Sequence, residues 1–143
     1  CCADTTHHVI QSGDWDAHTN AMSQHRVFRQ FDAKPVGWAP GQPGYGGRPD
    51  GAAVDADGNY WVAMFEGGRV LQLSPAGELL AEYPVPARCP TMPCFGGDDG
   101  RTLYLTTASH GRSLPELAEF PDSGCLFSMR VDVPGLPVNF FID

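Results

Sequence analysis

The 143-residue chain is 42% hydrophobic and 18% charged, the balance of a folded domain rather than of a disordered segment. Its formal net charge of -8 leaves no basic stripe for nucleic acid, and no apolar run reaches the length of a membrane span. The 17 glycines and 13 prolines call for many short elements joined by turns.

The chain begins at Cys1 without an initiator Met or a charged-then-apolar leader, and is read as a piece of a longer chain that starts in mid-strand. Residues 2–5 end a strand, and residues 8–16 form the next. A polar turn over 17–23 carries His18, Thr19 and Asn20, and RVFRQF (26–31) alternates apolar and polar side chains as a half-buried strand does. The stretch from 33 to 49 is too dense in Pro and Gly for regular structure. It is expected to be an inter-blade loop bearing Trp38 and Tyr45, either a substrate lid or a solvated insertion.

Arg48-Pro49-Asp50-Gly51 reads as a tight turn that opens a strand. Four strand-like segments then follow at hairpin spacing, over 52–54, 60–65, 69–73 and 79–85, separated by Asp57-Gly58, Gly67-Gly68 and Pro75-Ala76-Gly77. The frame recurs over 89–95, 103–108 and 125–131, interrupted by a short helical turn at 113–120 with Ser113 as its N-cap. The tail, 133–143, reads as a closing segment. The Asp-Gly turns at Asp57 and Asp99 lie 42 residues apart, a period that short antiparallel strands give in a β-propeller blade. The expected fold is all-β: a partial β-propeller of about two and a half four-stranded antiparallel blades.

Read from the residues alone, Asp50 is either a turn aspartate bonded to nearby backbone N–H groups or a carboxylate offered to a ligand. Asp4 ends an apolar strand as a cap or as a site residue. Thr91 and Met92 open the innermost strand of the last blade, in the core or facing a channel. His7 and His8 are adjacent, so on a strand they point to opposite faces and do not ligate one ion. Asp55 and Asp57 are turn residues. Cys94, Ser109 and His110 have no nucleophile elbow around them. The five cysteines lack CxxC spacing, so they are expected as small buried thiols in a reducing, cytoplasmic setting.

Several segments, in order, resemble the regucalcin/gluconolactonase (senescence-marker-protein) lactonases: ADTTHHVIQSGDWD with HRVFRQF, RPDGAAVDADGNYWVAMFEGGRVLQLSPAGE, CPTMPCFGGDDGRTLYLTTA and RVDVPGLPV. The resemblance covers nearly the whole chain. It implies a six-bladed propeller with one divalent metal in its central channel. In that family the ligands are a glutamate near the N-terminus, a mid-chain asparagine and the aspartate of the Pro-Asp-Gly turn. Only Asp50 has a counterpart among these, as both metal ligand and catalytic carboxylate.

The asparagine motif of that family precedes an Ala-Asp-Thr strand, and this chain begins at that strand. Residues 1–143 therefore resemble the C-terminal half of a single propeller domain, with the missing N-terminal half as its partner. The implied activity is metal-dependent hydrolysis of a sugar lactone, in a segment inactive by itself. A calcium-binding regulatory protein without turnover, and a structural fragment needing its other half, stay open. Calcium, zinc, manganese and iron are not distinguished. Asp4 and Thr91 are the candidates for substrate contact.

Overall fold

The computed structural model describes residues 1–137 and builds them from three antiparallel sheets and one short helix. The first sheet holds β1 (Cys2–Asp4), β2 (Val9–Asp16) and β3 (Ala21–Gln30). The second holds β4 (Arg48–Val54), β5 (Tyr60–Phe65), β6 (Arg69–Leu73) and β7 (Leu79–Pro84). The third holds β8 (Pro90–Gly96), β9 (Thr102–Thr107) and β10 (Leu126–Arg130). Each sheet is ordered as it is in the chain, so every neighbouring pair is a hairpin neighbour. Helix α1 (Leu114–Glu119) sits between β9 and β10, with the Ser113 hydroxyl accepting from the Glu116 N–H at its start.

The middle sheet is buried on both faces, and the period of β5 shows why. Tyr60, Val62 and Met64 join Ile10, Leu71 and Leu73 in one core, against Phe28 of the first sheet and Phe31 just beyond it. Trp61 and Ala63 point the other way, into a second core with Val70, Leu103 and Leu105, flanked by Phe127 and Met129. Sheets stacked face to face in sequence order are consecutive propeller blades. Truncating Met64, fully buried at 0% exposure, to Ala is worth about 2–5 kcal/mol of stability.

Asp55 is more than a turn residue. Its side chain is fully buried and accepts from the backbone N–H groups of Asp57 and Asn59, from Asn59 Nδ2 and from Trp61 Nε1. Burial pushes the carboxyl up, but the bonds from Trp61 and Asn59 outweigh it and hold it below the usual carboxylate range. Residues 134–136 fasten this turn to the next blade: Ala56 N–H donates to Pro134 O, Gly135 N–H to Gly100 O and Leu136 N–H to Val54 O. That is the closing role expected of the tail; its remainder, 138–143, lies outside the described residues.

Three expectations need correction. The 17–23 turn is shorter, because β3 starts at Ala21 and pairs Ser23 with Asp14 across a bulged ladder. His7 and His8 lie in the β1–β2 turn rather than on a strand, His8 in the left-handed region at φ 56°. Of the five thiols only Cys89 is buried; Cys1, Cys2, Cys94 and Cys125 are exposed and unpaired, since strand alternation turns some of these positions outward.

Candidate functional site

Hairpin connections alternate between the two ends of the blades. Turns 55–59, 74–78 and 97–101 lie at one end. Segments 5–8, 31–47, 66–68, 85–89 and 108–125 lie at the other, here called the rim, and Asp50 stands near the rim end of β4.

Asp50 is not on a turn. Pro49 pairs with Met64 and the ladder resumes only at Ala52 opposite Val62, so Asp50 and Gly51 together oppose Ala63 in a β-bulge. The third blade repeats the device, with Thr91 as the extra residue between Pro90, opposite Thr107, and Met92, opposite Thr106. The two bulges abut, because a Cβ on Gly51 would collide with Met92 and the Thr91 carbonyl. The bulge takes Asp50 out of the regular ladder. It is half-buried, and no hydrogen bond from a described residue supports its carboxylate. Burial pushes that carboxyl above the usual aspartate range, with the Arg48 charge opposing.

Around it the rim is held by side chains. Lys34, from the Pro/Gly-rich loop, donates to both oxygens of Glu66 at 2.9 Å. Arg112 reaches Glu66 from the segment before α1 at 3.3 Å and grips Glu116 with two bonds of 2.8 Å. Burial pushes the Glu66 carboxyl up, but Lys34, Arg48 and Arg112 together hold it below its usual range. The Glu116 contact raises Arg112. The loop also docks through Tyr45, whose hydroxyl is 2.8 Å from His8 Nε2, and through Gly47, whose backbone lies too close to Gly67 for any Cβ. Trp38 and Tyr45 meet edge to face, with the Lys34 ammonium 5.0 Å from the Trp38 ring.

The other two candidates are each engaged. The Asp4 carboxylate accepts from the His7 backbone N–H at 3.2 Å and from its Nδ1 at 2.8 Å, which holds the carboxyl low. The Thr91 hydroxyl lies 2.7 Å from that of Thr106. Among the described residues no group of three or more His, Cys, Asp or Glu is placed to hold a metal ion. Of the three candidates, Asp50 alone presents a carboxylate or hydroxyl without a described hydrogen-bond partner, the chemistry that a metal donor needs. The Glu66 network and the His8–Tyr45 contact went unread in the sequence because the partners lie 32, 46 and 37 residues apart. No helix among the described residues is long and apolar enough to cross a membrane.

Residues 2–109 match the family model described as SMP-30/Gluconolactonase/LRE-like region. The chain is 60% identical over 98 residues to a 6-deoxy-6-sulfogluconolactonase of Pseudomonas putida, covering 68% of this chain and 34% of that protein. It is 34% identical to regucalcin of Danio rerio over 136 residues, 94% of this chain and 42% of that one. Among solved structures it is similar to the calcium-binding protein regucalcin from Agrobacterium tumefaciens, with a TM-score of 0.76 at 27% identity over 93% of this chain and 42% of that one. A luciferin-regenerating enzyme matches with a TM-score of 0.75 at 28% identity, over 93% of this chain and 41% of that one. The chain thus spans well under half the length of these relatives.

Proposed function

The chain belongs to the SMP-30/gluconolactonase/LRE-like family, and on that premise we propose that it forms part of a metal-dependent hydrolase of sugar lactones, with Asp50 as metal ligand and catalytic carboxylate. The observation that carries this reading is the bulge at Asp50–Gly51. It spends one ladder position to take a half-buried carboxylate, without a partner among the described residues, out of the regular ladder at the rim end of a blade. A divalent ion, calcium, zinc, manganese or iron, would polarise the ester carbonyl and ease ionisation of water. Asp50 would hold that ion from one side, and its carboxylate would be placed to take the proton of the attacking water. The ester bond between the carbonyl carbon and the ring oxygen breaks as water adds, giving the open-chain acid. The reading assigns the remaining donors to chain outside residues 1–137, so that residues 1–143 alone carry no activity.

The rim loop, pinned through Lys34 and Tyr45, stands over this end of the blade and serves as a wall that restricts water and orients the sugar. Asp4 and Thr91 remain candidates for substrate contact from the neighbouring turn and bulge. The likeness to a 6-deoxy-6-sulfogluconolactonase favours a lactone bearing a sulfonate over a neutral one. The exposed, unpaired thiols suit a cytoplasmic protein.

A second reading, calcium binding without turnover, is favoured by the likeness to a protein described as calcium-binding. Assaying the full-length protein on glucono- and xylonolactone, with chelator and then with metal added back, tests both. Chelator-sensitive turnover supports the hydrolase. Stoichiometric calcium binding with no turnover supports the second reading.

A further inference from the structure

Cations in this chain are almost all answered. Of the nine Lys and Arg residues, six form ion pairs among the described residues. Arg29 donates to the Gly77 carbonyl, and Arg101 is exposed. Arg48 differs from all of them. It is half-buried and, unlike Arg69 and Arg88, whose Nε atoms are likewise buried without a described acceptor, it has no described carboxylate within ion-pair distance. Its guanidinium rests over the Phe65 ring, 5.0 Å from the centroid, an apolar seat that fixes the group without neutralising it. Removing a guanidinium from water with no counter-ion costs free energy that an anion offsets.

Position gives the charge a use. Arg48 precedes Asp50 by two residues on β4, about 7 Å along the strand and on the rim side of it. Phe65, which seats the guanidinium, ends β5 directly before Glu66 and opposite Arg48 itself, so the charge lies at the rim end of the blade. The other cations of the rim are committed, Lys34 and Arg112 to Glu66. Unanswered positive charge at this end is therefore concentrated on Arg48.

We propose that Arg48 is the specificity-determining residue for an anionic lactone, its terminal nitrogens receiving a sulfonate or phosphate borne on the carbon farthest from the reacting carbonyl. This rests on the lactone-hydrolase reading, in which Asp50 works at the carbonyl. Neighbouring positions on one strand put the two groups within reach of a single sugar-sized ligand. A guanidinium suits such a tetrahedral oxyanion because its planar fork offers two parallel donors.

Binding of glucose, 6-deoxy-6-sulfoglucose and glucose 6-phosphate to the full-length protein tests the assignment without turnover. The wild type is expected to bind an anionic sugar at least about tenfold more tightly than glucose, with the better of the two anions identifying the group. Arg48→Gln should abolish the advantage and Arg48→Lys should restore part of it as a point charge. In turnover, Arg48→Gln should lose about 10- to 100-fold in kcat/KM on the matching anionic lactone and stay within about threefold on gluconolactone. Equal losses on both lactones would overturn the proposal and reduce Arg48 to a support for Asp50. So would a wild type that hydrolyses gluconolactone with no preference for either anion, which leaves the hydrolase reading intact. Preference for an anionic sugar through Arg48, in a protein that opens no lactone, would end the hydrolase reading and keep the anion site.

Discussion

The Asp55 carboxylate accepts the indole N–H of Trp61 at 2.9 Å, so the turn between β4 and β5 is bonded to the largest fully buried side chain of the second core. Replacing Asp55 with Ala strands that N–H together with the Asn59 and Asp57 amides. The expected loss is about 3 kcal/mol or more, read as a lower urea midpoint of the full-length protein. An unchanged midpoint would show that water replaces the carboxylate at no cost.

Acid should act through the same group. The folded pKa of Asp55 is held below its unfolded value, so its contribution is fully present above the usual aspartate pKa of about 3.9. It is lost as pH falls through the folded value. Urea midpoints measured from pH 7 downward should fall more steeply for the wild type than for Asp55→Asn, which has no such proton to bind.

Asp50→Asn should leave the fold nearly unchanged, because the carboxylate holds no described neighbour, while metal-dependent lactone hydrolysis falls to background. Calorimetric metal titration beside the lactone assay checks both. Unaltered affinity and turnover would remove Asp50 from the site.

The pH dependence at Asp50 runs opposite to that at Asp55. Its proton is bound more tightly in the folded chain, so protons compete with the metal at a pH above the usual aspartate range. Metal affinity should weaken as pH falls through that raised value, and Asp50→Asn should flatten the profile. A midpoint at or below about 3.9 would contradict the burial assigned to it.

Glu66→Gln should loosen the rim. The variant leaves Lys34 and Arg112 sharing a neutral partner, so the 31–47 loop should become sensitive to limited proteolysis and KM should rise, with metal stoichiometry unchanged. Identical proteolysis and kinetics across several lactones would return the loop to a solvated insertion.

Residues 1–143 produced alone should associate. Among the described residues each sheet ends in edge strands, β1 and β3 in the first and β8 and β10 in the third, and Val27 on β3 and Leu126 on β10 are each 64% exposed. Sedimentation showing a monodisperse monomer would refute this.

Much of the fold was legible because its signals are local. The alternation of YWVAMF, the Asp57-Gly58 and Gly67-Gly68 turns and the Ser113 cap each act within a few residues, and the strands appear where they point. Asp50 stood out as a candidate through its Pro-Asp-Gly setting, but the turn expected there is a bulge. A bulge depends on how a strand pairs, which Arg48-Pro49-Asp50-Gly51 alone does not reveal. Asp55 looked like an ordinary turn residue because its decisive partner, Trp61, comes from the next strand. Glu66 was hidden for a related reason: its counter-ions come from a loop and from a segment of the following blade.

The second and third blades are fastened to each other by different chemistry at their two ends. At the far end the ties from 134–136 run between backbone groups, which are present whatever the side chain. At the rim, Lys34, Glu66 and Arg112 do the fastening, and any exchange of residues there alters both shape and charge. Descendants of such a chain are free to rewrite the rim for a new ligand while the opposite end keeps the blades in register, so divergence in recognition need not erode the architecture that carries it.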